Sequence, residues 1–376
     1  MPERKQFVLM NKDTEVLLFE SETDEYGDTY LESIAEPLSQ LPIGFADIHS
    51  FIVQRQAPKH REHIKRIMRQ AGCDHLEGFL QVTKALSLND TFWVKSYESN
   101  LSWNEVSLYR NNFDETIARL AFEGGEYTSI FSATSPEFST DGLYAKCWVR
   151  KNENIFLLKT GSEQYGMEPY SEYFASQISS KICVDAVQYS LDYYHSRLVS
   201  KCPIFTNETE GFAAALKVLD TNKVKETAYL LEYFQKVGVE DAFRRMVVLD
   251  ALIINNDRHI GNYGFVIDNA TQKILRMAPV FDHNRSLAYK VKELDTKSLK
   301  YYLQDEVPRI GVDFNQIAHK FLTPEIKSDL LNLRYFSFEL SDRFPFSKER
   351  LKLLEKLVHN QIENILGNRS LYHYSH

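Results

Sequence analysis

The chain has 376 residues, of which 43% are hydrophobic, 26% charged and 13% aromatic, with a formal net charge of -8. That length allows two or three domains with real cores, and the acidic balance argues against a nucleic-acid-binding surface. The four cysteines, Cys73, Cys147, Cys183 and Cys202, form no CxxC pair, which fits reduced thiols in a cytoplasmic setting and argues against zinc; the opening residues have no apolar stretch suited to a signal peptide, and no window approaches a membrane span.

Residues 1–20 alternate apolar and polar and predict a hairpin turning at Asn11-Lys12-Asp13. A helix is expected over 55–71, after Pro58, with Ile64, Ile67 and Met68 on one face and Lys59, Arg61, Lys65, Arg66 and Arg69 as the one basic cluster. That cluster reads as a solvated helix face, or as a patch for an acidic partner or nucleic acid. "SLNDTFWVK", 87–95, predicts a turn and an aromatic strand, and "NFDETIARLAF", 112–122, a helix ended by Gly124-Gly125. From 128 the texture becomes β-rich: a strand over 128–133, the Ser/Thr-rich turn "TSPEFSTDG", then "LYAKCWVR" and "IFLLKTG" as a hairpin turning at 152–154. Pro169 opens a helix whose apolar face is Tyr170, Phe174, Ile178 and Ile182. Glu172 on that helix reads, taken alone, as a carboxylate favouring the helix dipole, and Lys159 as a strand end reaching water. A second hairpin is expected to turn near 192–196, and "EGFAAALKVLD", "KVKETAYLLEYFQKVG" and "VEDAFRRMVVLDALIIN" then read as helices. A β-rich lobe thus precedes a helical one. Near the end, 347–366 carries a Leu/Val/Ile stripe that closes a helical core or, alternatively, docks a partner.

The densest polar stretch is "INNDRHIGNYGF", 254–265, directly after the apolar "MVVLDALII". Asn255-Asn256 are expected to stop the buried helix. "YGFVID" then forms a strand, "DNATQ" a turn, and "KILRMAPVF" the returning strand. That hairpin brings Asp282 back toward Asp257 and Asn262. Two carboxylates and one amide form the oxygen set that Mg²⁺ takes together with waters and substrate phosphates. The chemistry this suits is phosphoryl transfer, in which a loop Asp accepts a hydroxyl proton, the Asn five residues on binds metal, and a second Asp follows a short hairpin. The bland alternative is a polar helix cap.

D-R-H-x-x-N occurs here in the order used by phosphatidylinositol kinases and by HipA-like kinases. "NNDRHIGNYGF" followed by "APVFD", the apolar helix before it, and "EPYSEYFASQI" after a strand ending in lysine together resemble the HipA-like Ser/Thr kinase family over about 130–290. The first 125 or so residues do not resemble the family's usual N-terminal module. The resemblance implies an α+β, bilobal protein-kinase-like fold: an added N-terminal region over 1–127, a β-rich small lobe over 128–206 and a mostly helical large lobe over 207–376. It also implies ATP and Mg²⁺ as cofactors. Lys159 would contact the ATP phosphates, with Glu172 as its helix partner and Glu168 as the competing choice. Asp257 would be the general base, Asn262 and Asp282 the metal ligands, and Arg258 and His259 braces of the loop. The stretch 132–142 resembles the phosphate-covering loop, with nucleotide contacts at Ser135, Thr140, Asp141 and Gly142; it departs from G-x-G-x-x-G in having Gly142 alone. Ser132, Thr134, Ser135, Ser139 and Thr140 are its candidate autophosphorylation sites. "LVSKCPIF", 198–205, is either an adenine-binding hinge, with Lys201, Pro203 and Phe205 at the nucleotide, or an ordinary edge strand.

Three functions follow as expectations. The first is a Ser/Thr protein kinase acting on a protein hydroxyl, as the toxin of a toxin–antitoxin pair with an antitoxin-like partner. The second is a kinase for a lipid head group or small molecule, against which stands the lack of a membrane-binding segment. The third is a nucleotide-binding pseudokinase, against which stand competent residue types at Lys159, Glu172, Asp257, Asn262 and Asp282.

Overall fold

The structure is a computed structural model that describes residues 3–26, 28–58, 63–125, 135–140, 142 and 144–367. The fold is α+β, and the chain divides into two compact units: Met1–Lys159 with Ile204–Ala213 and Val266–Leu275, and Thr160–Pro203 with Ala214–Phe265 and Arg276–His376.

In the first unit, strands β1 (Glu3–Asn11) and β2 (Thr14–Thr23) form the expected hairpin. Asn11 pairs with Thr14, and Lys12 takes the left-handed turn position at φ 50°. Strand β3 (Thr29–Ser33) and helices α1 (Ile48–Val53), α2 (Ile64–Gln70) and α3 (Leu76–Thr83) follow. Strand β4 (Phe92–Ser96), the short α4 (Trp103–Val106) and α5 (Glu115–Glu123) come next. The antiparallel sheet runs β3-β2-β1-β4. Successive side chains point to opposite faces, and both faces are covered. Phe7, Leu9, Leu17 and Phe19 pack with residues of α1, α2 and α3, while Val8, Met10 and Trp93 pack with Trp103 and Leu88.

The helix expected over 55–71 is shorter in the structure: α2 starts at Ile64, and residues 59–62 lie outside the described residues. Arg55 is instead a buried turn residue whose guanidinium forks onto Asp90 at 2.8 and 2.9 Å. Helix α5 starts at Glu115 rather than 112 because the Asp114 carboxylate accepts the N–H groups of Thr116 and Ile117, an N-cap. The strand expected over 128–133 lies outside the described residues. "TSPEFSTDG" contains a 3-10 turn at Pro136–Ser139. Strands β5 (Lys146–Lys151) and β6 (Asn154–Thr160) make the predicted hairpin around Asn152-Glu153.

In the second unit, α6 (Glu168–Ile182) opens with Pro169 and buries Tyr170, Phe174, Ile178 and Ile182. The hairpin of β7 (Ser190–Tyr194) and β8 (Arg197–Pro203) turns through His195 and Ser196, both left-handed at φ 46° and 62°. The next sheet draws largely on the first unit, to which residues 210–213, 266–268 and 274–275 belong; its strand β9 (Glu210–Ala214) corrects the helix expected from "EGFAAALKVLD". The alanine run favours helix by only a few tenths of a kcal/mol per residue, and sheet pairing in the order β11-β10-β9 outweighs it. Helices α7 (Thr227–Lys236) and α8 (Glu240–Ile253) precede β10 (Gly264–Asp268) and β11 (Ile274–Met277), and α9 (Thr296–Asp305), α10 (Phe314–Phe321), α11 (Pro324–Asn332) and α12 (Lys348–Ile365) complete the chain. Phe234 of α7 stacks flat on Phe243 of α8 with centroids 3.9 Å apart, and α8 is buried along its whole second half. Among the described residues no helix is long and apolar enough to cross a membrane.

Candidate active site

The second unit builds its polar centre at the C-terminal end of α8. The helix stops one residue earlier than the Asn pair suggests. Ile254 is the cap, in the left-handed region at φ 53°, with its N–H on the Asp250 carbonyl. A β-branched residue there is strained. What holds it is the buried network just beyond. Asn255 donates its side-chain amide to Asp250 at 3.0 Å and accepts the Asp257 N–H at 3.1 Å, so the loop turns at once.

Arg258 is the hub. Its side chain is 2% exposed, and it faces an Asp250 that is 8% exposed. Nε and Nη2 donate to the Asp250 carboxylate at 3.0–3.2 Å. Nη1 donates to the carbonyls of Asn262, at 2.9 Å, and Phe281. Nη2 also lies 3.2 Å from His283 Nδ1. Burial opposes the Arg258 charge, but the Asp250 carboxylate overrides it and holds the guanidinium above its ordinary value. One side chain therefore joins α8, the loop position Asn262, and the residue just before Asp282. Arg258 braces the loop, as expected; His259 is exposed, and its Nδ1 accepts the Gly261 N–H at 3.1 Å.

The loop residues have definite settings. The Asn262 amide nitrogen donates to the Asp257 carbonyl at 3.0 Å, so its oxygen is the atom available to a cation. Asp282 sits in the left-handed region at φ 57°, with its N–H on the Tyr189 hydroxyl at 3.1 Å. Asp and Asn tolerate this conformation better than most residues. Asp257 is only 18% exposed and meets two guanidiniums: Arg285 Nε is 3.4 Å from Oδ2, and Arg309 Nη2 is 3.3 Å from Oδ1. Arg309 approaches on a stretch anchored by Glu306, which is bonded to both Asn256 and Lys290. The segment after Asp282 carries two more left-handed residues, Leu287 and Ala288. Leu287 N–H donates to the Ile253 carbonyl at 2.8 Å, and Ser171 of α6 donates to the Ser286 carbonyl at 2.9 Å. From α12, Arg350 donates to the Ala288 and Val291 carbonyls, and Gln361 to the Ala251 carbonyl.

Among the described residues no group of three His, Cys, Asp or Glu could hold a metal. A carboxylate with an amide oxygen is a smaller set, and it fits Mg²⁺, which keeps waters and takes substrate phosphates as its other ligands.

The remaining candidates lie on other elements. Glu172 is fully buried on α6 and accepts the Ser200 hydroxyl of β8 at 2.5 Å, so it is a core-facing carboxylate and not an exposed dipole partner. Glu168 is also buried, with neither carboxylate oxygen hydrogen-bonded among the described residues. Lys201 is paired in β8 opposite Ser190, and Pro203 ends that strand. In the first unit, Lys159 is 8% exposed and does not reach water as a strand end would. It lies across the β5–β6 ladder from Lys146, 7% exposed, which the sequence reading passed over. Lys146 Nζ lies over Gly142, where a Cβ would be 1.9 Å from it, and Gly142 has φ +105°. The signal available was a lysine opening an alternating strand directly after the Ser/Thr-rich loop. Ser135 caps the 3-10 turn, and the Thr140 hydroxyl donates to the Pro136 carbonyl at 2.6 Å and accepts Trp148 Nε1 at 2.9 Å. Phe205 packs edge-on to Phe212. Ser132, Thr134 and Asp141 lie outside the described residues.

No family model matches the chain, and no curated protein matches it. Solved structures do. The Helicobacter pylori proinflammatory kinase CtkA is 16% identical, covering 59% of this chain and 92% of its own, with a TM-score of 0.43. HipA of Shewanella oneidensis MR-1, solved in a toxin–antitoxin complex with HipB and operator DNA, is 10% identical, with a TM-score of 0.55. The HipA match covers 96% of this chain and 97% of that one, well beyond the 130–290 stretch that carries the motif resemblance. The chain therefore has the fold of HipA, the fold of the kinase family its motifs resemble.

Proposed function

We propose that the chain is an ATP- and Mg²⁺-dependent kinase that phosphorylates a Ser or Thr hydroxyl of a protein. The observation that carries this reading is the Arg258 hub, which ties Asn262 and the residue before Asp282 to one guanidinium nitrogen, five residues past Asp257. Asp257 takes the hydroxyl proton. The hydroxyl oxygen bonds to the γ-phosphorus, the bond to the bridging oxygen breaks, and ADP leaves. Asn262 and Asp282 would hold Mg²⁺, which would supply charge neutralisation on the phosphates. Lys159 takes the role of the phosphate-contacting lysine, Glu172 that of the helix carboxylate, and Ser135, Thr140, Asp141 and Gly142 that of the covering loop. Lys201, Pro203 and Phe205 belong to the adenine side. Autophosphorylation within 132–142 and an antitoxin-like partner, as HipA has in its complex, are part of the same proposal.

One observation favours a nucleotide-binding module without transfer: both oxygens of Asp257 already face guanidiniums. The deciding experiment is incubation with γ-labelled ATP and Mg²⁺, followed by intact mass and peptide mapping, beside Asp257→Asn and Asp282→Asn. The kinase reading expects label on the wild-type chain or an added protein, and a loss of at least ~100-fold in either variant with the fold intact. Near-wild-type transfer by either variant overturns the site assignment. ATP binding without any transfer supports the module.

A further inference from the structure

Asp257 is overmatched: two guanidiniums share one carboxylate at the partly open end of the site, in a chain whose net charge is -8. Neither contact is tight. At 3.3 and 3.4 Å they exceed the 2.7–2.9 Å typical of charge-assisted bonds. The two arginines differ in exposure, Arg285 at 25% and Arg309 at 56%. Arg309 spends one of its five N–H groups on Asp257. Its backbone is nonetheless fixed, between buried Glu306 and buried Ile310. The result is a cation on an anchored stretch whose fork stands largely in water.

A purely structural clamp would be expected to bury its arginine and bond it closely, as Arg258 is buried and bonded to Asp250. Arg309 is neither. An exposed pair of this kind is weak, whereas a carboxylate or phosphate presented from outside can take the guanidinium fork bidentately.

Resting on the kinase reading, we propose that Arg309, with Arg285 beside it, selects an acidic side chain next to the acceptor hydroxyl and that this exchange frees Asp257 Oδ1 to take the hydroxyl proton. Substrate choice and exposure of the base are then one event. An acceptor with basic flanks leaves Arg309 on Asp257 and is turned over slowly.

The test uses the full chain and two fluorescent pentapeptides, a serine flanked by glutamates and a serine flanked by lysines, with binding read by anisotropy without nucleotide. The glutamate peptide is expected to bind roughly tenfold tighter, about the worth of one bidentate charge-assisted contact. Arg309→Gln abolishes the preference, Arg285→Gln reduces it, and Arg309→Lys keeps part of it. Lys352→Gln, an equal change of charge on α12, leaves it intact. Equal binding of the two peptides overturns the proposal, as does a preference that survives Arg309→Gln or falls equally in Lys352→Gln. Because binding is read without ATP, a failure of phosphoryl transfer with selection intact counts against the kinase reading alone.

Discussion

Replacing Arg258 with methionine tests whether one buried guanidinium holds the site together. Methionine keeps the length and apolar bulk of the side chain but removes every donor. The loss strands the buried Asp250 and removes the Arg258 donor from the carbonyls of Asn262 and Phe281. Breaking a buried pair from one side costs about 3–5 kcal/mol, and a stranded buried carbonyl about 1–3 kcal/mol. Entering water offsets part of this, so the expected loss is about 4–6 kcal/mol, a large share of the roughly 5–15 kcal/mol a domain possesses. In a unit of this size, that lowers Tm by roughly 10–20 °C. The companion double variant, Arg258→Met with Asp250→Leu, no longer buries an unpaired carboxylate and is expected to regain about 3 kcal/mol. It still lacks the donor that joins Asn262 to Phe281, so on the proposed kinase reading it is expected to be folded yet defective in transfer. Urea unfolding followed by far-ultraviolet circular dichroism, which reports the helices of the second unit, measures both; the three tryptophans all lie in the first unit. A single variant that loses less than about 1 kcal/mol, or a double variant no more stable than the single, would refute the reasoning.

Two further outcomes follow from local geometry. His195 and Ser196 both occupy left-handed turn positions, so His195→Asn with Ser196→Gly is expected to stabilise the β7–β8 hairpin by about 1 kcal/mol; a calorimetric Tm that stays level or falls contradicts this. Cys73 is wholly buried, and burial, with Asp74 adding to it, pushes its thiol up to about 12. The thiol therefore stays protonated far above neutrality, and at pH 8 iodoacetamide should spare it in the folded chain and modify it in urea, as read by peptide mass; equal labelling in both states would show that the site opens freely.

Local chemistry made the hairpins and the long helices readable. The Lys12 turn, Pro169 at the start of α6 and the apolar stripe of α12 each act over a few residues, and periodicity reports them. "FVLM" in β1 is different. Both faces of that sheet are covered, so its strand shows as an apolar run and only weakly as an alternation. "EGFAAAL" carried helical propensity that the sheet overrode. The D-R-H-x-x-N spacing and the returning Asp282 were visible because a single hairpin links them. Arg285 and Arg309 were not visible, since their meeting on Asp257 depends on a loop and on α9 and its following turn, which carry no motif. Ile254 was missed as the cap for a related reason: the preference for Asn at a left-handed position is real, but the Asp250 network decides where the helix stops.

The supports that α12 gives to segments on either side of the Asp257 loop bear on the order of biosynthesis. Arg350 and Gln361 hold the turn after Leu287 and the last stretch of α8. At about 5–20 residues per second, a ribosome delivers Asp257 roughly 5–20 s before Arg350. During that interval the loop exists without the side chains that fix its surroundings. The loop is thus made before the helix that braces its surroundings, and it takes its final setting only when that closing helix folds back.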